Sequence, residues 1–166
     1  PPSSMIAHVS ASPNHQTGRL SPFKTRGDVA MAGALGYELD LTKLTEAERE
    51  LIKQQVADYH RYYDLIQNGD YYRLINPTKD KANVTSAAAW ESVSADKNEV
   101  LLTYVVMRTQ VNVSRYIRLR GLDPDKRYAD AATGRVYSGA LLMNAGLNLT
   151  GSWKDGESRV WHFIAE

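Results

Sequence analysis

Hydrophobic and polar positions alternate with two different periods along this chain, and the change between them falls near its middle. The first apolar run, Met5 to Val9, breaks at once into Ser10, Ser12, Pro13, Asn14, Thr17 and Gly18. A short apolar run ending in turn residues, with a helix to follow, reads as a buried strand feeding a βα loop. Thr25-Arg-Gly-Asp28 is expected to cap a short helix carrying Val29, Ala32 and Ala34-Leu35, with Gly36 as the residue just past its end. A longer helix follows. Thr45-Glu-Ala-Glu48 has the form of a capping box, in which hydroxyl and carboxylate satisfy two backbone donors reciprocally. Leu51, Ile52, Val56, Tyr59, Tyr62-Tyr63 and Ile66 then recur at helical spacing until Asn68-Gly69. That apolar stripe is expected to be buried, with Ile52 and Val56 at its middle.

From Tyr71 the period becomes two. The expected strands are Tyr71–Ile75, Ala87–Val93, Glu99–Met107, Ser114–Arg120, Arg127–Asp130, Arg135–Ser138 and Arg159–Ile164. Asp96-Lys-Asn98, Asp123-Pro-Asp125, Thr133-Gly134 and Asp155-Gly156 supply turns between them. Glu99–Met107 is apolar on both faces, which marks a central strand. Short strands joined by tight turns, with no helix between them, predict an antiparallel β-sandwich. The expected division is therefore residues 1–69 and residues 70–166.

Several motifs here resemble one family. His8-Val-Ser10, Pro13-Asn14, Gln16 and Gly18-Arg19, then Gly36-Tyr-Glu-Leu-Asp-Leu41, are similar to glycoside hydrolase family 36 α-galactosidases of bacterial type. Gly121-Leu-Asp-Pro-Asp-Lys-Arg-Tyr128 resembles that family's C-terminal domain. The matches run in order almost to Phe163-Ile-Ala-Glu166. The resemblance implies an α+β fragment: the last strand and helix of a (β/α)8 barrel, a long linking helix, then the C-terminal antiparallel β domain. A whole barrel needs about 250 residues, more than the 166 present. It implies a parent enzyme that removes terminal α-linked galactose from oligosaccharides of raffinose or melibiose type, with retention of configuration. The expected partners are galactosides, and the parent is expected to be a homo-oligomer.

Candidate chemistry narrows that picture. Retaining glycosidases need two carboxyl groups about 5 Å apart. In the resembled family both are aspartates on earlier barrel strands, in motifs this sequence does not contain. Glu38 and Asp40 are expected to follow a helix end, on the wrong side of a βα unit for a barrel active site. Asp123 and Asp125 read as turn formers. The chain alone is therefore expected to hold no catalytic residue. His8, Ser10 and Asn14 are expected at the rim of the parent's substrate pocket, where the last strand meets its mouth; Asn14 offers donors and an acceptor to sugar hydroxyls.

Charge and composition exclude other classes. Twenty basic against nineteen acidic residues leave +1, too little to attract nucleic acid or an anionic membrane. No run approaches the roughly 18 apolar residues of a membrane span, and no cysteine is present. His8, His15, His60 and His162 lack metal-ligand spacing, so neither metal nor cofactor is expected. Arg19, Lys24 and Arg26 read as loop charges, solvated or paired with Asp28 and Glu38. Pro1-Pro-Ser-Ser has neither an initiator Met nor a signal-peptide pattern, as in a chain beginning inside a longer protein. A cytoplasmic location is expected, and the sequons at Asn83, Asn112 and Asn148 read as chance. The competing reading is a stand-alone β-sandwich, either structural or binding carbohydrate. Trp90, Trp153 and Trp161 would be its aromatic platform, although Trp90 and Trp161 read as core. The tyrosines of the long helix read as packing residues rather than as a sugar-stacking surface.

Overall fold

The computed structural model describes residues 2–77, 87–109 and 115–166. The sequons at Asn83 and Asn112, and the start of the strand expected from Ser114, lie outside the described residues. The chain divides into two compact units, Pro1–Gln67 and Asn68–Glu166.

The first unit is built on two parallel strands, β1 (Ile6–Ser10) and β2 (Ala34–Glu38), joined by helix α1 (Phe23–Ala30). The segment expected to finish a helix at Gly36 is thus a strand. Its apolar residues Leu35, Tyr37 and Leu39 alternate, and alternation is the mark of a pleated surface rather than a helix end. The cap is also displaced. Helix α1 begins one turn earlier, behind Pro22, with no side-chain cap, and Thr25 and Asp28 are buried within it. Val9, Phe23 and Ala30 form the core of this unit, with Ala7, Leu35 and Tyr37 from the strands packed against them.

Helix α2 (Glu46–Asn68) starts on the expected capping box: the Thr45 N–H donates to Glu48 Oε2 (2.9 Å) and the Glu48 N–H to Thr45 Oγ1 (3.3 Å). Leu51 and Ile52 join the core of the first unit. Val56, expected mid-stripe, is exposed, and the buried position is Gln55. Its side chain replaces hydrophobic contact with two hydrogen bonds, accepting from the Tyr37 hydroxyl (2.8 Å) and donating to the Phe23 carbonyl (3.3 Å). A β-carbon on Gly27 would fall 2.2 Å from the Gln55 amide, so any larger residue there would push that amide out of its place. Tyr59 is also a packing residue, its hydroxyl donating to the Gly33 carbonyl (2.9 Å).

The second unit is an antiparallel six-stranded sheet in the order β3-β4-β5-β10-β7-β8. Its strands are β3 (Asp70–Ile75), β4 (Ala87–Val93), β5 (Glu99–Val106), β7 (Arg127–Asp130), β8 (Val136–Ser138) and β10 (Ser158–Ala165). As expected, β5 is interior, and every residue after Glu99 in it is buried. Among the described residues no second full sheet stands opposite this one. The cover is the short pair β6 (Tyr116–Ile117) and β9 (Leu147–Asn148) with helix α3 (Gly139–Asn144), an element the strand pattern did not announce. Ile117, Leu119, Leu142, Leu147 and Leu149 close one hydrophobic core with Leu102, Tyr104, Tyr128 and Phe163 of the sheet.

Gly121–Tyr128 acts as a clamp on the β4–β5 turn. Lys126 Nζ donates to the Asp96 carbonyl (2.7 Å) and Asn98 Oδ1 (3.0 Å), and the Tyr128 hydroxyl donates to the Lys97 carbonyl (2.9 Å). Lys97 sits at φ 59°, a left-handed conformation that these bonds secure. Asp123 Oδ1 accepts from the Asp125 N–H (3.0 Å), the turn-forming role expected of it.

Glu91 is the anomaly of this core. It is fully buried on β4, with Oε1 accepting from the Arg120 N–H (2.6 Å) and Oε2 without a partner among the described residues. Burial pushes its carboxyl up to about 8, against the hydrogen bond and charge of Arg120.

Gln55→Ala, which strips the Tyr37 hydroxyl of its acceptor and empties the space beside Gly27, should lower unfolding stability by about 1–3 kcal/mol. Val56→Ala should change it by only a few tenths, roughly; equal thermal shifts would contradict the assignment of the buried face. For Glu91 the folded-state value lies above the unfolded value of 4.5. Folding therefore takes up a proton between about pH 4.5 and 8, and stability falls as pH rises through that window, by up to about 1.4 kcal/mol per unit. Glu91→Gln cannot ionise, so its stability relative to the wild type should grow from pH 5 to pH 8.5 in urea titrations. A constant difference would show that Glu91 is ionised in the folded state.

Candidate functional site

Side chains alternate across a strand, so the core contacts of Ala7, Val9, Leu35 and Tyr37 fix where the others point. Ile6, His8 and Ser10 of β1 share the face turned away from the helices with Ala34, Gly36 and Glu38 of β2. Among the described residues this face is bare: Ile6 is 88% exposed. In parallel α/β sheets, sites form at the C-terminal strand ends. Here those ends are Ser10 and Glu38, adjacent in register.

Glu38 is therefore not on the far side of a βα unit, as expected from the sequence, but at the same end as Ser10. Its Oε2 lies 2.8 Å from His8 Nε2. His8 stands opposite Gly36 in register, so no side chain competes for the space the imidazole crosses. The alternation of Leu35, Tyr37 and Leu39 was the signal that could have placed Glu38 here.

The loop after β1 is held at its base and tip. Arg26 donates through Nη1 to the Ser10 carbonyl, with its guanidinium over the Phe23 ring at 4.6 Å. Burial lowers the Arg26 pKa, opposed by the charge of Glu48. The Ser21 N–H donates to Ser12 Oγ (3.1 Å). Asn14 Oδ1 accepts from the Gln16 N–H (3.1 Å), the Thr17 N–H (3.0 Å) and the Thr17 hydroxyl (3.0 Å). The acceptor end of Asn14 is thus committed to the loop. Lys24 pairs with Asp28, whereas Glu38 takes His8 and none of the three cations.

In the second unit Trp153 and Trp161 pack against the core, and Trp90 is half-buried on β4. Trp153 Nε1 donates to the Leu149 carbonyl (2.7 Å), its ring meets Tyr104 edge-on at 5.2 Å, and the Arg159 guanidinium covers it at 5.0 Å. The same guanidinium lies 5.5 Å from the Trp161 ring. Among the described residues no three His, Cys, Asp or Glu side chains converge as a metal site. None of the described helices is long and apolar enough to cross a membrane.

Comparison with known proteins follows the same division. Residues 1–69 match the family described as Melibiase, and residues 87–163 match the glycosyl hydrolase family 36 C-terminal domain. The chain belongs to glycosyl hydrolase family 36. Among family 36 relatives, alpha-galactosidase AgaA of Geobacillus stearothermophilus is 46% identical over 166 residues, covering 99% of this chain and 22% of that protein. Alpha-galactosidase Mel36A of Lactobacillus acidophilus is 42% identical over 166 residues, with the same coverages of 99% and 22%. A crystal structure of an AgaA variant in complex with raffinose superposes with a TM-score of 0.93 at 46% identity, covering all of this chain and 22% of that one. The chain thus spans about a fifth of the length of these relatives.

Proposed function

We propose that this chain is the C-terminal part of an α-galactosidase that hydrolyses terminal α-linked galactose from raffinose-type oligosaccharides. In this reading residues 1–69 are the closing β/α elements of its (β/α)8 barrel, and residues 70–166 are a non-catalytic β domain. The observation that carries the reading is the end-to-end likeness to AgaA, a relative whose variants have been crystallised with raffinose and with stachyose. The bare, C-terminally polar face of β1 and β2 supports it. Closing that face into a barrel would cover Ile6 and set Ser10, Glu38 and His8 at the mouth of the lumen.

The reaction is double displacement. One carboxylate attacks the anomeric carbon while a carboxylic acid protonates the departing glycosidic oxygen, and water then releases galactose with the second residue acting as base. Both carboxyl groups belong to other strands of the parent. His8, Ser10 and Asn14 contribute to the pocket rim, Asn14 through its Nδ2 group. Arg26 and the Asn14 turn hold the loop in shape, so that ordering it on binding costs little.

A carbohydrate-binding role for the β domain finds no support in its tryptophans, since Trp153 is engaged by Leu149, Tyr104 and Arg159. A structural module fits that unit better. The test is turnover of p-nitrophenyl α-galactoside by the full-length enzyme beside this chain alone. The full-length enzyme should release nitrophenol and the chain should not exceed the blank. Activity in the chain that survives repurification would place the catalytic carboxyls within it and overturn the reading.

A further inference from the structure

The His8–Glu38 contact has no part in the packing of the first unit. Its side chains are 42% and 75% exposed, and both leave the strands on the face opposite the Val9 core. An exposed pair of this kind adds at most about 1 kcal/mol to stability. We propose that Glu38 is a positioning residue for the galactoside pocket: its carboxylate fixes the His8 imidazole so that the ring presents one nitrogen to a substrate hydroxyl. This rests on the α-galactosidase reading and adds to it a residue and a role.

Glu38 ends β2 beside Ser10, and His8 lies one pleat below Ser10 on the same face, so the carboxylate reaches the imidazole along the diagonal at 2.8 Å. Gly36, opposite His8, leaves the intervening surface free of any side chain. A carboxylate on one ring nitrogen decides the role of the other. With Nε2–H donated to Glu38, Nδ1 is the nitrogen left to accept, which suits a sugar hydroxyl and calls for no charge on the ligand. Both groups then act through one contact, the imidazole with the sugar.

That dependence is testable in the full-length enzyme with Glu38→Ala, His8→Ala and the double variant, assayed on raffinose and p-nitrophenyl α-galactoside, with unfolding midpoints measured alongside. Each single change should lower kcat/KM for raffinose about tenfold, the scale of one lost hydrogen bond to a charged or oriented group, chiefly through KM. The double variant should be no worse than His8→Ala, because Glu38 has nothing to position once the imidazole is gone. Glu38→Gln, which retains an acceptor oxygen, should recover part of the loss. Losses that multiply in the double variant, or a Glu38→Ala enzyme equal to wild type, would overturn the proposal. Should Glu38→Ala lower the unfolding midpoint, Glu38→Asp, which withdraws the carboxylate by one methylene, carries the same expectation. A wild-type enzyme without galactosidase turnover would instead overturn the reading beneath it.

Discussion

Two parallel strands with helices on only one side are an incomplete object. Parallel sheets are found with both faces covered, because their connections place helices outside and something else must dry the other surface. In this chain α1 and the start of α2 cover Val9, Ala7, Leu35 and Tyr37, while Ile6 on the reverse face stands open. Everything proposed for function depends on what closes that face. In the proposed (β/α)8 barrel, further strands would close it, turn the bare surface into a packed lumen, and bring its polar C-terminal end to the pocket.

The β domain solves the same problem internally. Its six-stranded sheet is covered by α3 and the β6–β9 pair, and β5, buried throughout after Glu99, runs through the middle. The Gly121–Tyr128 segment, which resembles the family's C-terminal domain, holds the β4–β5 turn through Lys126 and Tyr128. Asp123 shapes a turn there, so the segment's observed role in this chain is architectural.

Much of the fold was readable from periodicity. The capping box at Thr45 and Glu48, the strands Ala87–Val93 and Arg127–Asp130, and the interior place of β5 all follow from local rules. The failures share a cause. Gly36 is a good helix terminator in isolation, but its neighbours were paired with β1 across 28 residues of sequence, a contact no local rule reports. Gln55 displaced Val56 from the buried face because Gly27 and Tyr37, distant in sequence, gave its amide both a space and a partner. Glu91 sits in a core that its charge argues against, neutral because the surroundings are apolar. At the candidate site, the strand and loop carrying His8, Ser10 and Asn14 were legible as a strand end and a turn. Glu38 was misplaced along with its strand, and Asn14's commitment to its own loop was invisible without coordinates.

The claim that the open face of β1 and β2 is an interior surface is tested most directly by hydrogen exchange, comparing this chain with the full-length enzyme. If the face is interior, the amides of Ile6–Ser10 and Ala34–Glu38 should exchange far faster in the chain, where the strand pair would lack its further sheet neighbours. Those of Glu99–Val106 should be equally protected in both. Equal protection of the β1 and β2 amides in the full-length enzyme and in a monomeric form of the chain would contradict it, because the pair would then need no further strands.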